Sequence, residues 1–362
     1  MSRLKKINQV RRKFMKMLTK NIGRSTTHST YQNKDHIKNI LINRPNARLG
    51  NLLLITPLLQ EVSDTYPDCK IDVFVKGGLS PILFKNYKNI NQVITLPSKP
   101  FHQLPQYIAT WFKLKKKSYD LVINVIPTSS SGRLSTKIAR SKYKIFGELN
   151  HEFEDSQHLA KHPVYAFREF RNDFDSKKTP ILDIKLNKEE LIIGKNILDN
   201  LVGNNKPTIC LFTYATGDKC YSKEWWEEMY SSLKVAFQEF NIIEVLPKEN
   251  VSQISFQAKS FYSRDIREIA ALISNTSLFL GADSGMMHLA SAANTPTLGL
   301  FCITNPEKYA PYNSQSTFIN TTEDTISDCI IKIKDILKKN DAQCTIEKPT
   351  KTKKKFIHSS IG

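Results

Sequence analysis

The sequence has no long apolar run, no paired cysteines and no glycine-rich dinucleotide fingerprint, and each absence excludes a class of protein. Without a stretch of about 18 consecutive apolar residues, a transmembrane helix is ruled out. The six cysteines are scattered, with no C-x-x-C pair and no histidine at zinc-site spacing. Neither a structural zinc site nor a disulfide framework is therefore expected, and a reducing cytosol fits. No G-x-G-x-x-G opens either half, which disfavours a nicotinamide-dependent dehydrogenase.

Length and composition place the chain among soluble globular proteins. It has 362 residues, of which 40% are apolar and 24% are charged. This balance is typical of folded proteins rather than of disordered or membrane-embedded ones. Because a domain averages about 150 residues, two domains of ordinary size are expected.

Acidic residues are missing from both ends of the chain, which is where the positive charge lies. The 53 basic and 34 acidic residues give a formal charge of 53 − 34 = +19. Residues 1–24 contain nine Lys or Arg, and residues 348–362 contain five Lys, so 9 + 5 = 14 of these charges are terminal. The 323 residues between them carry the other +5, which is ordinary for a globular protein.

The basic N-terminal segment also has a helical apolar stripe, at positions 7, 10, 14, 17 and 18. A basic helix with one apolar face can lie among lipid headgroups, so residues 1–34 are interpreted as an amphipathic lead and linker that contacts a membrane surface. A solvated, frayed terminus is the alternative. No continuous apolar core follows the charges, so this is not a secretory signal. The basic ends lack interleaved aromatic residues and no nucleic-acid-binding motif occurs, so no nucleic-acid partner is expected.

From residue 37 onward, strand-like and helix-like segments alternate in two series. The predicted strands are 37–43, 71–75, 93–96, 121–125, 143–146, 208–213, 242–246, 278–281 and 297–301. The predicted helices are 50–66, 164–174, 188–201, 222–240, 264–274, 285–293 and 325–338. Strands that alternate with helices of this length favour a parallel sheet with crossover helices. The predicted fold is α/β, with two Rossmann-like doubly wound domains facing across a cleft. The predicted units are 1–34 (lead), 35–180 (first domain), 181–320 (second domain) and 321–362 (closing helix and basic tail).

Three loops that follow strands carry residues suited to an anionic ligand, which binds at the carboxyl ends of strands in such sheets. In residues 48–51, Gly50 permits a close backbone approach, although a simple turn with Asn51 as helix cap fits equally well. The loop 213–219 (TYATGDK) offers hydroxyls, a glycine and a lysine to phosphate oxygens, but it is not a Walker sequence.

The third loop, in GADSGMMHLA (281–290), is the most specific. An apolar strand ends in Asp-Ser-Gly and opens directly onto a helix, so the amides of Ser284 and Gly285 lie at the positive helix end, ready for a diphosphate. His288 lies four residues after Ser284, on the same helix face, so the hydroxyl and the imidazole can converge on one ligand. Asp283 is either a helix cap or a partner for a sugar hydroxyl.

The segment GADSGMMHLASAANTPTLGLF, followed by Pro306 and Pro311, resembles the C-terminal signature of bacterial heptosyltransferase-like enzymes, glycosyltransferase family 9. ARLGNLLLITPLLQEVSDTYPDCKIDVFV resembles the N-terminal motif of the same family, and the likeness runs from about residue 37 to 311. It implies a GT-B fold that transfers a sugar with inversion from a nucleotide-diphosphate donor (ADP-heptose is the family default) to the lipopolysaccharide core. It also implies an anionic lipid A-core acceptor, a peripheral place on the cytoplasmic face of the inner membrane, and no metal or other cofactor.

The resemblance also assigns roles to individual residues. It implies that Thr216 and Lys219 meet the donor diphosphate, with Thr213 a weaker candidate beside them, and that Glu249, in LPKEN, lies near the ribose. The residues that would hold the nucleotide-sugar are Asp283, Ser284, Gly285 and His288.

One position departs from the family pattern. Asn51 stands where the family usually has an Asp, the expected general base for the acceptor hydroxyl, and an amide cannot take a proton near neutral pH. Three explanations stay open: Asn51 only orients the acceptor, the enzyme is slow, or the chain has lost catalysis. The alternative function is therefore a catalytically silent module that binds a nucleotide-sugar or a glycolipid.

Overall fold

The computed structural model describes residues 17, 22–23, 36–98, 102–153, 155–174 and 177–346. Nearly all of the predicted basic lead helix, and the basic tail beyond residue 346, lie outside this range. All five cysteines whose side chains are described are free thiols. Within the same residues, no helix combines the length and the apolar character that crossing a bilayer requires.

The first half of the chain folds around a five-stranded parallel sheet of order β3-β2-β1-β4-β5. Its strands are β1 (Asn39–Asn43), β2 (Lys70–Lys76), β3 (Ile90–Leu96), β4 (Ser118–Asn124) and β5 (Arg140–Ile145). The central strand β1 pairs Ile40 with Ile71 on one side and with Leu121 on the other, and all three side chains are fully buried. The strand order reverses at β1, which opens a crevice at the carboxyl ends of β1 and β4.

In the described part of this half, six helices accompany the sheet: α1 (Leu49–Leu53), α2 (Thr56–Thr65), α3 (Ser80–Leu83), α4 (Leu104–Lys116), α5 (Ser130–Ile138) and α6 (His162–Arg171). The sequence predicts one helix over 50–66, whereas the structure has two. Pro57 has no N–H to offer the carbonyl of Leu53, and the hydroxyl of Thr56 donates to that carbonyl instead, at 2.8 Å. The chain therefore turns between α1 and α2, which separates the short α1 from the rest.

The second half forms a six-stranded parallel sheet of order β11-β10-β9-β6-β7-β8. Its strands are β6 (Thr208–Phe212), β7 (Asn241–Val245), β8 (Lys259–Phe261), β9 (Leu278–Ala282), β10 (Thr297–Phe301) and β11 (Thr317–Asn320). This is again the doubly wound order, with the crevice between β6 and β9. The edge strands β8 and β11 are absent from the sequence prediction because they are short and largely half-buried or exposed, without a run of apolar residues.

The helices of the second half are α7 (Lys188–Val202), α8 (Lys223–Ala236), α9 (Ile266–Ser274), α10 (Gly285–Ala292), α11 (Pro306–Tyr309) and α12 (Ile326–Ile346). Helix α6 packs against α2 of the first half and α7 packs against α9 of the second. The predicted domain boundary at 180/181 thus falls between helices that pack on different sheets. Helix α12 covers α8, with Ile333 and Cys329 in one apolar cluster with Trp226.

The two halves meet where α1 crosses α10. A Cβ on Gly50 would lie 2.6 Å from Cδ2 of His288, and a Cβ on Gly285 would lie 3.0 Å from Cβ of Leu49. Both glycines are thus required by the close approach of the two helices. This contact brings the carboxyl ends of the two sheets opposite each other and fixes the walls of the cavity described next.

Candidate active site

A cavity of about 730 Å³ lies at the carboxyl ends of β6 and β7 and beside the N-terminal ends of α9 and α10. We call it the central cavity. Polar and charged groups at its wall include Thr216, Glu249, Arg264 and Ser284. Leu49 and Leu79 of the first half close one side. The cavity is therefore built by both halves of the chain, as the predicted cleft requires.

The N-terminal end of α10 forms part of the cavity wall through Ser284, Gly285 and Met286. Ser284 is the N-cap residue, and its hydroxyl accepts a long hydrogen bond from the backbone N–H of Met287, at 3.4 Å. The amides of a first helical turn have no partner within their own helix, and the helix dipole adds a partial positive charge there. This wall is suited to the oxygens of an anion.

Lys219 and Asp283 form an ion pair beside this helix end. Asp283 is buried, and the hydroxyl of Thr304 donates to the same carboxylate oxygen, Oδ2, at 2.5 Å. Lys219, on the short 3-10 turn Gly217–Lys219, keeps 34% of its side chain exposed. An ammonium group has three donors, so this pairing orients Lys219 and leaves donors for a ligand. Thr304 is a partner that the sequence analysis did not identify.

His288 lies behind the helix end rather than at the cavity wall. Its side chain is packed against Gly50 and only 3% of the residue is exposed. Burial lowers the pKa of His288 to about 4, so the imidazole is neutral at physiological pH. Its Nδ1 has no hydrogen-bond partner among the described residues. The spacing of the two residues predicts that the imidazole and the Ser284 hydroxyl meet one ligand. In the structure Ser284 lies at the cavity wall, whereas the imidazole does not.

Thr213 also does not line the central cavity. It is buried, its hydroxyl donates to Oε1 of Glu244 at 2.5 Å, and its oxygen accepts from the backbone N–H of Gln253 at 3.1 Å. Burial raises the pKa of Glu244. Of the two threonines predicted in this loop, only Thr216 reaches the cavity wall, because the chain turns between them at the end of β6.

Glu249 and Arg264 lie at the cavity wall, where apolar side chains accompany them. Lys248 places its ammonium 3.6 Å from the carboxylate of Glu249, at the surface. The sequence analysis identified Glu249 but not Arg264. Arg264 follows β8, the short edge strand that has no sequence signal, so nothing marked this loop as the carboxyl end of a strand.

Asn51 is held by Arg44, a residue that the sequence analysis also did not identify. The guanidinium donates to Oδ1 of Asn51 at 2.6 Å and to its backbone oxygen at 3.3 Å, and the amide nitrogen of Asn51 faces Oδ1 of Asn46 at 3.4 Å. Arg44 is 8% exposed, and burial lowers its pKa to about 10. No carboxylate of the described residues forms an ion pair with it. Its position directly after β1 is a sequence signal that could have identified it.

No group of three or more His, Cys, Asp or Glu side chains in the described ranges is arranged to hold a metal ion. Positively charged side chains near the site come from both halves. Lys219 and Arg264 belong to the second half, and Arg44 belongs to the first.

Comparisons with known proteins agree with this architecture. The family model described as "Glycosyltransferase family 9 (heptosyltransferase)" matches residues 108–338. The chain is 22% identical over 314 residues to the lipopolysaccharide core heptosyltransferase OpsX of Haemophilus influenzae, covering 79% of this chain and 85% of the relative.

Two solved structures share the fold. The glycosyl transferase family 9 structure from Veillonella parvula superposes with a TM-score of 0.69 at 15% identity, over 83% of this chain and 97% of the other. The Escherichia coli heptosyltransferase WaaC, solved with ADP, gives a TM-score of 0.61 at 18% identity, over 82% and 99% of the two chains. The predicted GT-B fold is confirmed. Since the family model covers more than half of its length, the chain belongs to glycosyltransferase family 9.

Proposed function

We propose that this glycosyltransferase transfers a heptose, with inversion, from ADP-heptose to the lipopolysaccharide core. The observation that carries the proposal is the central cavity, where the N-terminal end of α10 and an apolar wall meet between the two sheets. Lys219 lies behind this wall, paired with Asp283, which directly precedes the N-cap residue Ser284. An inverting transfer needs an acceptor oxygen to attack the anomeric carbon opposite the leaving diphosphate. The cavity offers one side to each substrate, since residues of both halves line it.

The donor side is suited to a nucleoside diphosphate. Leu246, Ile266 and Ile269 give an apolar surface for a base, and Glu249 beside them can accept hydrogen bonds from ribose hydroxyls. The diphosphate then lies at the N-terminal end of α10. The name of the relative OpsX and the ADP in the WaaC structure support this choice of donor and acceptor.

Negative charge grows on the leaving diphosphate as the glycosidic bond breaks. Groups of the described residues that can stabilise it are the first-turn amides of α10 and the ammonium of Lys219. Removing one such preorganised donor typically raises the barrier by about 2.7–4 kcal/mol. Asp283 holds Lys219 in place, so we assign it a positioning role.

Asn51 is proposed to orient the acceptor hydroxyl rather than to remove its proton. Its amide has no basicity near neutral pH, and Arg44 already engages its Oδ1. The proton then passes to a phosphate of the acceptor or to another carboxylate. The buried guanidinium adds positive charge beside Asn51, two residues after Leu49 of the cavity wall, which suits an anionic acceptor.

A second candidate is a catalytically silent module that binds a nucleotide-sugar or a glycolipid. The arrangement around Asn51 favours it, because an amide fixed by a cation stands where the family expects a base. The two candidates differ only in turnover.

The experiment that separates them measures transfer from ADP-heptose, and from a panel of other nucleotide-sugars, to a truncated core acceptor. We expect release of ADP with formation of the extended acceptor, and a loss of about 10²–10³-fold in kcat for Lys219→Ala. The matched control is Lys195→Ala, which breaks an exposed Lys–Asp pair on α7 and leaves kcat unchanged. Donor binding without transfer to any acceptor would favour the silent module.

The proposal includes a peripheral position on the cytoplasmic face of the inner membrane. An anionic glycolipid acceptor and the two basic ends of the chain support it. Deleting residues 1–24 is expected to weaken binding to anionic vesicles in a salt-dependent manner. Equal vesicle binding by the full chain and the truncated chain would show that the lead segment does not have this role.

A further inference from the structure

Helix α4 exposes a stripe of large apolar side chains on the outside of the first domain. Leu104, Ile108 and Phe112 are 51%, 46% and 60% exposed. They are spaced four residues apart, so they lie along one face. The opposite face packs on the sheet through Thr110 and Leu114, which are buried, and through partly buried aromatic residues. The exposed stripe is therefore not needed for the core, and three large apolar side chains in one row are unusual on a surface that only meets water.

The stripe lies in a region without negative charge. From residue 73 to residue 119 the sequence contains no Asp or Glu, and it contains eight lysines: Lys76, Lys85, Lys88, Lys99, Lys113, Lys115, Lys116 and Lys117. Asp72, just before this region, pairs with Lys117 at 2.5 Å. Lys113, Lys115 and Lys116, in the last turn of α4, form no ion pair with any described residue.

An open groove of about 640 Å³ runs between α4 and the edge strand β3. Ile94, Ala109 and Phe112 supply apolar contacts in it, while Lys113 and Lys116 lie beside them. Apolar and cationic side chains thus line the same groove. An anionic lipid has the complementary groups, a negatively charged headgroup next to an apolar acyl chain.

We propose that α4 is the element through which the first domain lies on an anionic phospholipid bilayer. We call Leu104, Ile108, Phe112, Lys113, Lys115 and Lys116 the α4 surface. Its apolar side chains enter the boundary between headgroups and acyl chains, and its lysines meet lipid phosphates. The charge complementarity selects this occupant over a second copy of the chain, because two such surfaces would repel each other. The inference deepens the membrane position within the proposed function, and rests on it.

Two further observations fit this position. Helix α4 follows the carboxyl end of β3, so its first residue, Leu104, lies at the edge of the sheet that faces the central cavity. Helix α4 also packs against α5, and Arg133 of α5 donates a hydrogen bond to the carbonyl of Gly23. Gly23 of the lead segment therefore contacts α5, the helix that packs against α4.

The test uses the full chain with vesicles of phosphatidylcholine, alone or with 30% phosphatidylglycerol. Hydrogen exchange of peptides covering 104–117 is measured with each. We expect slower exchange in these peptides with the anionic vesicles and no change with the neutral ones. Unchanged exchange of α4 with anionic vesicles overturns the proposal, even if the chain binds them through another segment.

Two double variants test the chemistry of the surface: Ile108→Ser with Phe112→Ser, and Lys113→Glu with Lys116→Glu. Because these side chains are exposed, both variants are expected to unfold at the wild-type temperature. Each is expected to lower affinity for anionic vesicles at least ten-fold. The control, Ile331→Ser with Lys334→Glu, changes an exposed part of α12 that Asp328 and Asp335 flank, and is expected to stay within two-fold. Wild-type affinity in both α4 variants contradicts the proposal.

Two outcomes distinguish related failures. Protection of 104–117 that rises with protein concentration and needs no vesicles identifies a self-association surface, and the lipid proposal is then wrong. A soluble, deacylated acceptor separates membrane binding from transfer, because the α4 variants should use it as well as the wild type does. If no acceptor is used by any variant, the proposed function fails while the vesicle measurements still decide the role of α4.

Discussion

Lys219 and Asp283 form the pair whose removal has the clearest separate effects on stability and on catalysis. Replacing Lys219 with Met leaves the buried Asp283 with only the Thr304 hydroxyl at Oδ2. Breaking a fully buried ion pair costs about 3–5 kcal/mol. Lys219 is about one-third exposed, so solvent screens the interaction and we expect a smaller loss, about 2 kcal/mol in the free energy of unfolding.

The second substitution, Asp283→Asn, made together with Lys219→Met, removes the unpaired charge. We expect the double variant to recover most of the stability lost in the single one, since no uncompensated carboxylate is left. The rate of transfer should not recover, because the ammonium that meets the diphosphate is still missing. Both variants should therefore retain only about 10⁻²–10⁻³ of the wild-type kcat.

Urea unfolding gives the stabilities, and release of ADP at saturating donor gives kcat. The control is the same pair of changes at Lys195 and Asp199, an exposed pair at 3.0 Å on α7. It should change stability by less than about 1 kcal/mol and leave kcat alone. A Lys219→Met variant with wild-type kcat would refute the role of the ammonium, and a double variant as unstable as the single one would refute the reasoning about the buried carboxylate.

The remaining predictions concern α1 and its contact with α10. Asn51→Asp should raise the free energy of unfolding at neutral pH by about 1–2 kcal/mol, because Arg44 gains a counter-charge. It should not raise kcat, because the same contact lowers the basicity of the new carboxylate. A variant with a ten-fold higher kcat would show instead that the missing base limits transfer. Burial lowers the pKa of His288 to about 4 from its ordinary 6.5, so the contribution of the neutral imidazole to stability is complete above pH 6.5 and is lost as the pH falls toward 4. His288→Gln should remove up to about 3 kcal/mol of this pH dependence of the free energy of unfolding. Identical profiles of unfolding free energy against pH for the variant and the wild type would argue against this role of His288. Gly50→Ala should weaken donor binding and transfer because its Cβ would overlap His288, while Gly78→Ala, with open space around it, should be silent in a titration with ADP and in the transfer assay.

Much of the fold could be predicted from the sequence because the central strands of a parallel sheet are continuous apolar runs. LVIN and TICLF are buried on both faces, and their strands occur within a few residues of where the pattern puts them. The edge strands β8 and β11 are three and four residues long and carry no such run, so the sequence does not predict them. The break between α1 and α2 depends on one hydrogen bond from Thr56, which periodicity does not encode.

Some of the residues singled out in the sequence line the central cavity, for a similar reason. Loop position points to Thr216, Ser284 and Gly285, because parallel strands end at one edge and these residues follow strands, whereas Glu249 comes from the family resemblance. Which way a side chain turns within a loop depends on tertiary contacts. Thr213 therefore turns inward to Glu244, and His288 packs on Gly50.

Residues that act through a partner are harder still to predict. Arg44 matters through its contact with Asn51, and Thr304 through its contact with Asp283. In each pair the partners belong to different elements of the fold. Only the folded chain brings them together.

The central claim is that a nucleoside diphosphate binds at the N-terminal end of α10. A crystal structure of the full chain with ADP tests it most directly. We predict that oxygens of the diphosphate lie about 2.7–3.2 Å from the backbone nitrogen of Gly285 and from Nζ of Lys219, inside the central cavity. A diphosphate bound elsewhere, or a cavity still empty at saturating ADP, would contradict the claim.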